Sequence, residues 1–426
     1  VSPSVLGRLA LLMASLVACA GQSRDSATRP EPEDLKGAVA PHTGHIHDSV
    51  IDSIPRSRPI PDEHADRTLP PLVFDTTALI GRDVRVCAGG DVMLGSNLDT
   101  LWAARSSARL GRGVAALPDP DGLLEPLRPL VADADIVLLN IEGAIGDGPA
   151  PSKCRPGSTS CYAFRQPSGT AGALARLAPQ GVVIGNVANN HALDAGGPGL
   201  QATLRHLGLA GVYATGADTL ATLVTTRQGD TVAFLGFSTS QAGPDPRDLD
   251  AVSRHVARAA ARHPRVVVTM HMGAEGRDAQ RTPDAFEYYL GENRGNAVAF
   301  ARAAVDAGAS AVIGHGPHVM RAAEWHRGAL VFYSLGNLLT YGTFNLSEPM
   351  NRGAIGCVSL DPAGRITAAV LRSTRQHPPG LLAPDPTARA ALLVDSLSRI
   401  DFPATAPGQF GEVVLLPPAG DSLTMR

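Results

Sequence analysis

From residue 84 onward the chain repeats one pattern. A short run of Val, Ile and Leu gives way to a polar loop, and a stretch with helical spacing often follows. "VRVCAGGDVMLGSN" (84–97) predicts a strand reaching Ala88 and then a glycine turn that carries Asp91. "ADIVLLNIEGAIGDG" (134–148) is a second apolar run, ending at Asn140 and Glu142. "GVVIGNVANNHALD" (181–194) is a third, with a helix expected from about Gly197 to Leu207. "TVAFLGFSTSQ" and "RVVVTMHMGAEG" are further strand-like runs, the second delivering His271 and Glu275. "NAVAFARAAVDAGA" has helical composition, with Gly308 placed to end it, and leads into "SAVIGHGPHVMR" and "GALVFYSLGNLL". Short continuous apolar runs alternating with helices predict an α/β fold with buried sheets.

Ligands of such folds collect beyond the carboxyl ends of the strands. Asp91, Glu142, Asn190, His191, His271, His315 and His318 all fall just past predicted strands, in five separate loops. Packing does not require that distribution; convergence on one pocket does. Carboxylate, carboxamide and imidazole together suit a borderline divalent metal, Mn, Fe or Zn, as one ion or two. Calcium would want more oxygens, and a structural zinc site would want cysteines, yet the chain has no CxxC. In "GHGPH", Pro317 stiffens a turn that could aim His315 and His318 at one centre. Asp194 is read either as a cap for the helix that follows or as the group that orients His191. Glu275 is read as structural or on the surface, and Asn337 as a turn residue.

The two ends have other patterns. "VSPSVLGRLALLMASLVACAG" carries an apolar run too short to span a bilayer, as in a secretory signal. Leu16-Val17-Ala18-Cys19 has the form of a lipobox, so residues 1–18 are expected to be a lipoprotein signal and Cys19 the lipidated terminus. Residues 19–82, rich in Pro, Asp, Ser and Arg without periodicity, read as a disordered tether. His42, His45 and His47 lie in it and lack the preorganised geometry of a metal site. In an oxidising compartment, Cys154 and Cys161 of "CRPGSTSCY" would be stapled by a disulfide. Cys87 and Cys357 lie in apolar runs and are expected to be buried, free or paired. After the domain at 83–375, residues 376–426 predict a helix in "DPTARAALLVDSLSRI" with Asp385 as N-cap, then an edge strand and a tail.

Composition narrows the function. Of 426 residues 18% are charged, and the formal net charge is −3, so there is no basic footprint for nucleic acid. At 4% aromatic content, a stacking platform is not expected, and no glycine-rich nucleotide loop is found.

Six motifs together resemble the bacterial capsule-synthesis proteins of the CapA (poly-γ-glutamate biosynthesis) type, relatives of the calcineurin-like metallophosphoesterases. They are "GDVMLG" (90–95), "NIEGAIG" (140–146), "NNHALDAGGPGL" (189–200), "HMGAEG" (271–276), "GHGPHV" (314–319) and "YSLGN" (333–337), in the family's order across residues 84–375. The resemblance implies a four-layer α/β sandwich with a metal site at the strand ends. It implies ligand roles for Asp91, Glu142, Asn190, His271, His315 and His318, and a catalytic role on substrate for His191. One departure stands out: where a metallophosphoesterase begins Asp-x-His, Asp91 is followed by Val92 and Met93. Two functions follow as expectations. One is an envelope-anchored metal-dependent hydrolase acting on an amide or phosphoester bond of a small molecule or anionic polymer. The other is a non-catalytic accessory protein that binds such a polymer or a membrane-bound capsule synthase for export.

Overall fold

The computed structural model describes residues 81–95, 119–146, 162–342, 344–410 and 414–418, with a few positions between 104 and 153. The expected signal segment, Cys19, the tether up to residue 80, its histidine tract, Cys154, Cys161 and residues 419–426 lie outside the described residues.

Two large sheets form the frame. The first contains β1 (Val84–Met93), β2 (Ile136–Ile141), β5 (Val182–Asn186), β6 (Tyr213–Thr215), β15 (Asn337–Thr340) and β16 (Arg352–Leu360). It is extended by β17 (Ile366–His377), β18 (Leu381–Pro384), β19 (Gly408–Phe410) and β20 (Val414–Leu416). Its order is β19-β20-β17-β16-β1-β2-β5-β6, with β15 also on β1 and β18 on β17. The second contains β7 (Thr222–Thr225), β8 (Thr231–Ser238), β9 (Val266–His271), β12 (Ala311–His315), β13 (Ala323–His326) and β14 (Ala329–Phe332). Its order is β13-β14-β12-β9-β8-β7. Two ribbons complete the inventory: β3 (Ala144–Ile145) with β4 (Arg165–Gln166), and β10 (Glu287–Tyr289) with β11 (Glu292–Gly295).

Alternation along the strands decides the layers. Val84, Val86 and Ala88 of β1, with Ile136, Leu138 and Ile184, face Phe234, Val267, Ile313 and Phe332 of the second sheet in one buried cluster. The intervening Cys87, Val137, Leu139 and Val183 face outward onto Leu124, Leu174 and Leu207 from the helices Pro120–Leu124, Gly169–Ala175 and Gly196–Leu209. On the far side, Val266, Val268 and Val312 pack on Val256, Phe300 and Ala304 of the helices Leu249–Ala260 and Ala297–Asp306. The result is helix, sheet, sheet, helix: a mixed α/β structure in four layers. Each fully buried Val, Leu or Ile contributes roughly 1.5–3 kcal/mol to holding it together.

Three local expectations need correction. β1 does not stop at Ala88 but runs through Gly89 and Gly90 to Met93. It does so by changing partner, from β16 to β15, across an irregularity after Ala88. A Cβ on Gly90 would lie 1.9 Å from the Gly336 carbonyl oxygen, so only glycine admits that neighbour. The C-terminal helix spans Arg389–Asp401 with Ala388, not Asp385, at its N-cap position; Asp385 lies three residues earlier, where its carboxylate reaches the Arg389 amide. Pairing explains this: the Asp385 amide donates to Ser373 of β17, and its carboxylate accepts from the Thr387 amide and hydroxyl. The last strand, β20, is not at an edge, since β19 lies outside it.

Cys87 and Cys357 are disulfide-bonded. They sit opposite each other in the antiparallel β1–β16 register, so the bond joins neighbours in space that are 270 residues apart in sequence.

Candidate metal centre

Strand register lines up the polar groups. In the first sheet Asp91 lies level with Asn337 on one side and Asn140 on the other, and Asn140 with Asn186. In the second, His315 lies beside His271, and His271 beside Ser238. These rows occupy the carboxyl ends of the parallel strands of both sheets. The loops beyond add Glu142, His191, Glu275 and His318. Getting His318 there needs an unusual backbone. It adopts φ 60°, and Gly316 before it φ 107°, a left-handed region that costs a histidine about 1 kcal/mol or more.

Asp91, Glu142 and His318 each offer a ligand atom, and these three atoms lie within 4.8 Å of one another. His318 Nδ1 is 2.9 Å from Asp91 Oδ2, and its Nε2 is 4.0 Å from Glu142 Oε1. His271 Nε2 lies 3.1 Å from the same Glu142 oxygen, and His315 Nδ1 3.9 Å from Asp91 Oδ1. Asp91, Glu142, His271 and His315 are fully buried or nearly so. Asn140 donates to Asp91 Oδ1 at 2.8 Å, and its own oxygen accepts from Asn186 at 2.9 Å and Asn189 at 3.2 Å. This carboxamide chain fixes the Asp91 carboxylate from beneath.

Such packing moves every titration. Burial drives the Glu142 carboxyl well up, and the charge of Asp91 adds to the rise. Burial pushes Asp91 the same way, but the hydrogen bond and charge of His318 more than offset it, and the carboxyl ends low. His318 is opposed by burial yet goes up, because Glu142, Asp91 and Glu275 surround it. His271 and His315 are each pulled down to about 4, mainly by burial. Buried carboxylates and neutral imidazoles at one point form a donor set for a cation. The unused atoms fit that role: Glu142 Oε2, His271 Nδ1 and His315 Nε2 are buried with no hydrogen-bond partner.

Beside the cluster, His191 Nδ1 is 2.7 Å from Asp194 Oδ2. Asp194 therefore holds His191; the helix Gly196–Leu209 follows Ala195 with no side-chain cap. The same carboxylate accepts from the Phe164 amide at 2.6 Å and pairs with Lys153 at 3.0 Å. His191 is near enough to Glu142 and Glu275 for its charge to act on both, and its ring lies 4.3 Å from that of Phe164.

The predicted residues fare differently. Asp91, Glu142, His271, His315 and His318 come together, with His191 and Asp194 alongside. The Asn190 amide oxygen is buried and unpaired, but no contact ties it to the cluster. Of the two readings of Glu275 the structural one holds: its Oε1 pairs with Arg294 at 2.7 Å and its Oε2 lies 3.8 Å from His318. Asn337 is not a turn residue; it opens β15, its oxygen 3.1 Å from His318 Nδ1. Sequence reasoning missed Asn186, Asn189 and Arg294. The two asparagines could have been found as polar residues ending an apolar run; nothing local marks Arg294.

Residues 85–341 match the family model described as bacterial capsule synthesis protein PGA_cap. The chain belongs to this family. Within PGA_cap proteins and their curated relatives, it is 30% identical over 170 residues to the PGA biosynthesis protein CapA of Bacillus subtilis. It is 28% identical over 180 residues to the capsule biosynthesis protein CapA of Bacillus anthracis. These matches cover 36% and 37% of this chain and 41% and 40% of those proteins, so about two fifths of each relative is spanned. Among solved structures, a phosphatase from Mycoplasma pneumoniae aligns over 72% of this chain and 95% of its own, at 11% identity and TM-score 0.38. A 5'-nucleotidase precursor from Thermus thermophilus aligns over 76% and 59%, at 15% identity and TM-score 0.35. Those two likenesses are loose.

Proposed function

We propose that this PGA_cap family member is a metal-dependent hydrolase of the cell envelope, acting on an amide or phosphoester bond in capsule or poly-γ-glutamate biosynthesis. One observation carries the reading: Asp91, Glu142 and His318 bring three ligand atoms within 4.8 Å of one another, with His271 Nε2 3.1 Å from the Glu142 carboxylate. Asp91, Glu142 and His318 would hold a Mn, Fe or Zn ion, with His271 and His315 completing its shell or holding a second. A bound ion would supply a Lewis acid and lower the pKa of its water. Asp194 would accept from His191 Nδ1 and fix the ring, so that with both nitrogens protonated Nε2 would give its proton to the leaving group as general acid. Phe164 packs on that ring and limits its rotation. A lipid on Cys19 and the tether at 19–82 would hold the domain outside the membrane, within reach of a membrane-bound synthase and its anionic polymer.

The test is metal analysis of the purified chain, with assays on bis(4-nitrophenyl) phosphate and on poly-γ-glutamate. Asp91→Asn and His315→Ala should lose metal. His191→Ala should keep it and lose about 10²-fold or more in turnover. A metal-free protein inert in both assays, unchanged by His191→Ala, would instead support the accessory role. That second reading is favoured by Met93, a buried thioether where a metallophosphoesterase's Asp-x-His would put an imidazole.

A further inference from the structure

Arg294 stands 4% exposed in β11, and its guanidinium is nearly unused. Nη1 reaches Glu275 Oε1 at 2.7 Å and lies 4.0 Å from Glu292 Oε2; Nε and Nη2 are buried with no hydrogen-bond partner. Two other buried arginines, Arg321 and Arg265, are not left so. Arg321 places Nη1 and Nη2 on Glu287 and Nε on the Ala279 carbonyl. Arg265 places Nε on the Asp361 carbonyl, Nη1 on Asp230 and Nη2 on the Arg82 carbonyl. A guanidinium cannot shed its proton, so two bare donors in the interior carry a large desolvation penalty.

The position gives those donors a use. Glu275 bridges Arg294 to His318, so the positive fork lies one carboxylate away from the candidate metal cluster. Its charge acts on His271 and on Tyr289 as well as on Glu275. The hairpin bearing it is bolted to the site at its base, where Gly273 donates to the Arg294 carbonyl and Ala274 to Glu287. At its tip it is free: Tyr288 and Leu290 are 63% and 81% exposed, and Leu290 takes φ 49°. A leucine held left-handed in solvent is strained, and a short exposed tip on a fixed base is a segment that can yield.

We propose that Arg294 is an anion-recognition residue for the substrate of this site, its Nε–Nη2 edge taking two oxygens of a carboxylate or phosphate side by side. This deepens the hydrolase reading by assigning the substrate a second, non-reacting oxyanion beside the scissile bond. Planar two-point recognition is what a guanidinium provides and an ammonium does not. Entry requires the hairpin to open locally, because neither donor has exposed surface.

The experiment is isothermal titration of inorganic phosphate and of glutarate into the full chain, metal-loaded and metal-stripped, for wild type, Arg294→Lys and Arg294→Gln. Arg294→Lys retains the charge beside Glu275, so it separates loss of the fork from loss of folding. We expect it to keep Mn²⁺ affinity and thermal midpoint and to weaken anion binding about tenfold or more, the loss of one bidentate contact. Preference for phosphate would mark a phosphoester substrate, and preference for glutarate a glutamyl carboxylate. Wild-type protein that binds neither anion, or affinity unmoved by Arg294→Lys, overturns the proposal. Wild-type turnover is measured on the same preparations. Anion binding without turnover would sink the hydrolase reading and leave this site standing, whereas turnover with Arg294 indifferent would do the reverse.

Discussion

His271 and His315 show what burial does to a single side chain. Each is neutral in the folded protein down to about 4, whereas an unfolded histidine takes up its proton near 6.5. Between those values the unfolded chain binds more protons, so stability falls as pH drops from about 6.5 to about 4. Glu142 and His318, both raised, act in the opposite sense, with stability lost as pH rises. Replacing one histidine therefore isolates its share. In metal-stripped protein, His315→Gln should show a shallower decline in urea midpoint between pH 6.5 and 4.5 than wild type. Parallel declines would mean that His315 is not a buried neutral imidazole. At this scale residue types were readable in the sequence: Asp91, Glu142 and the three histidines stand out where an apolar run ends. Asn337 was misjudged because its partner, His318, lies on a separate loop; for Glu275 the sequence left structural and surface roles open, and the Arg294 pair decides for the first.

Among elements, β1 is the decisive one, and its two glycines are the reason. Gly90→Ala would put a methyl 1.9 Å from the Gly336 oxygen and 2.8 Å from that of Leu335. β15 must then leave β1, taking with it the Asp91–Asn337 register. We expect a loss of about 3 kcal/mol or more in chemical denaturation, together with weakened metal binding. Gly208→Ala serves as the contrast, since nothing lies within 4 Å of its added carbon in the helix Gly196–Leu209. That change should stabilise by about 0.5–1 kcal/mol. Equal effects of the two substitutions would remove the steric account. The sequence reading ended β1 at Ala88 because two glycines ordinarily signal a turn. Here they signal the close approach of another strand, a distinction no local pattern carries.

For the whole molecule, the Cys87–Cys357 bond ties the first strand of the domain to β16, closing most of the chain into one loop. Closing a loop of that size stabilises by about 2–5 kcal/mol through the unfolded state. Cys87→Ser with Cys357→Ser should lower the free energy of unfolding, measured by urea denaturation, by that amount. Both sulfurs are buried, so dithiothreitol without denaturant should leave the bond intact in the folded protein. Thiol titration reads this directly, and rapid native reduction would contradict the buried placement. The bond also crosses the central antiparallel junction of the first sheet, so its loss should be felt at Asp91 as weaker metal binding.

The sequence by itself determined the alternation of strands and helices, the chemistry of the donor set and the loops that carry it. Those follow from local rules: apolar runs of strand length, helical spacing, and polar residues where packing does not need them. Only the tertiary structure decided which distant residues meet. It joined β15 to β1, paired Cys87 with Cys357, made Asp194 the holder of His191, and left half of the Arg294 fork empty beside Glu275. Apart from the Asp194–His191 pair, three residues apart and already one of two local readings, each of these is a contact between separate segments of the chain. Such contacts are selected by register across sheets and by close packing of facing layers, and neither is written in any stretch of neighbouring residues.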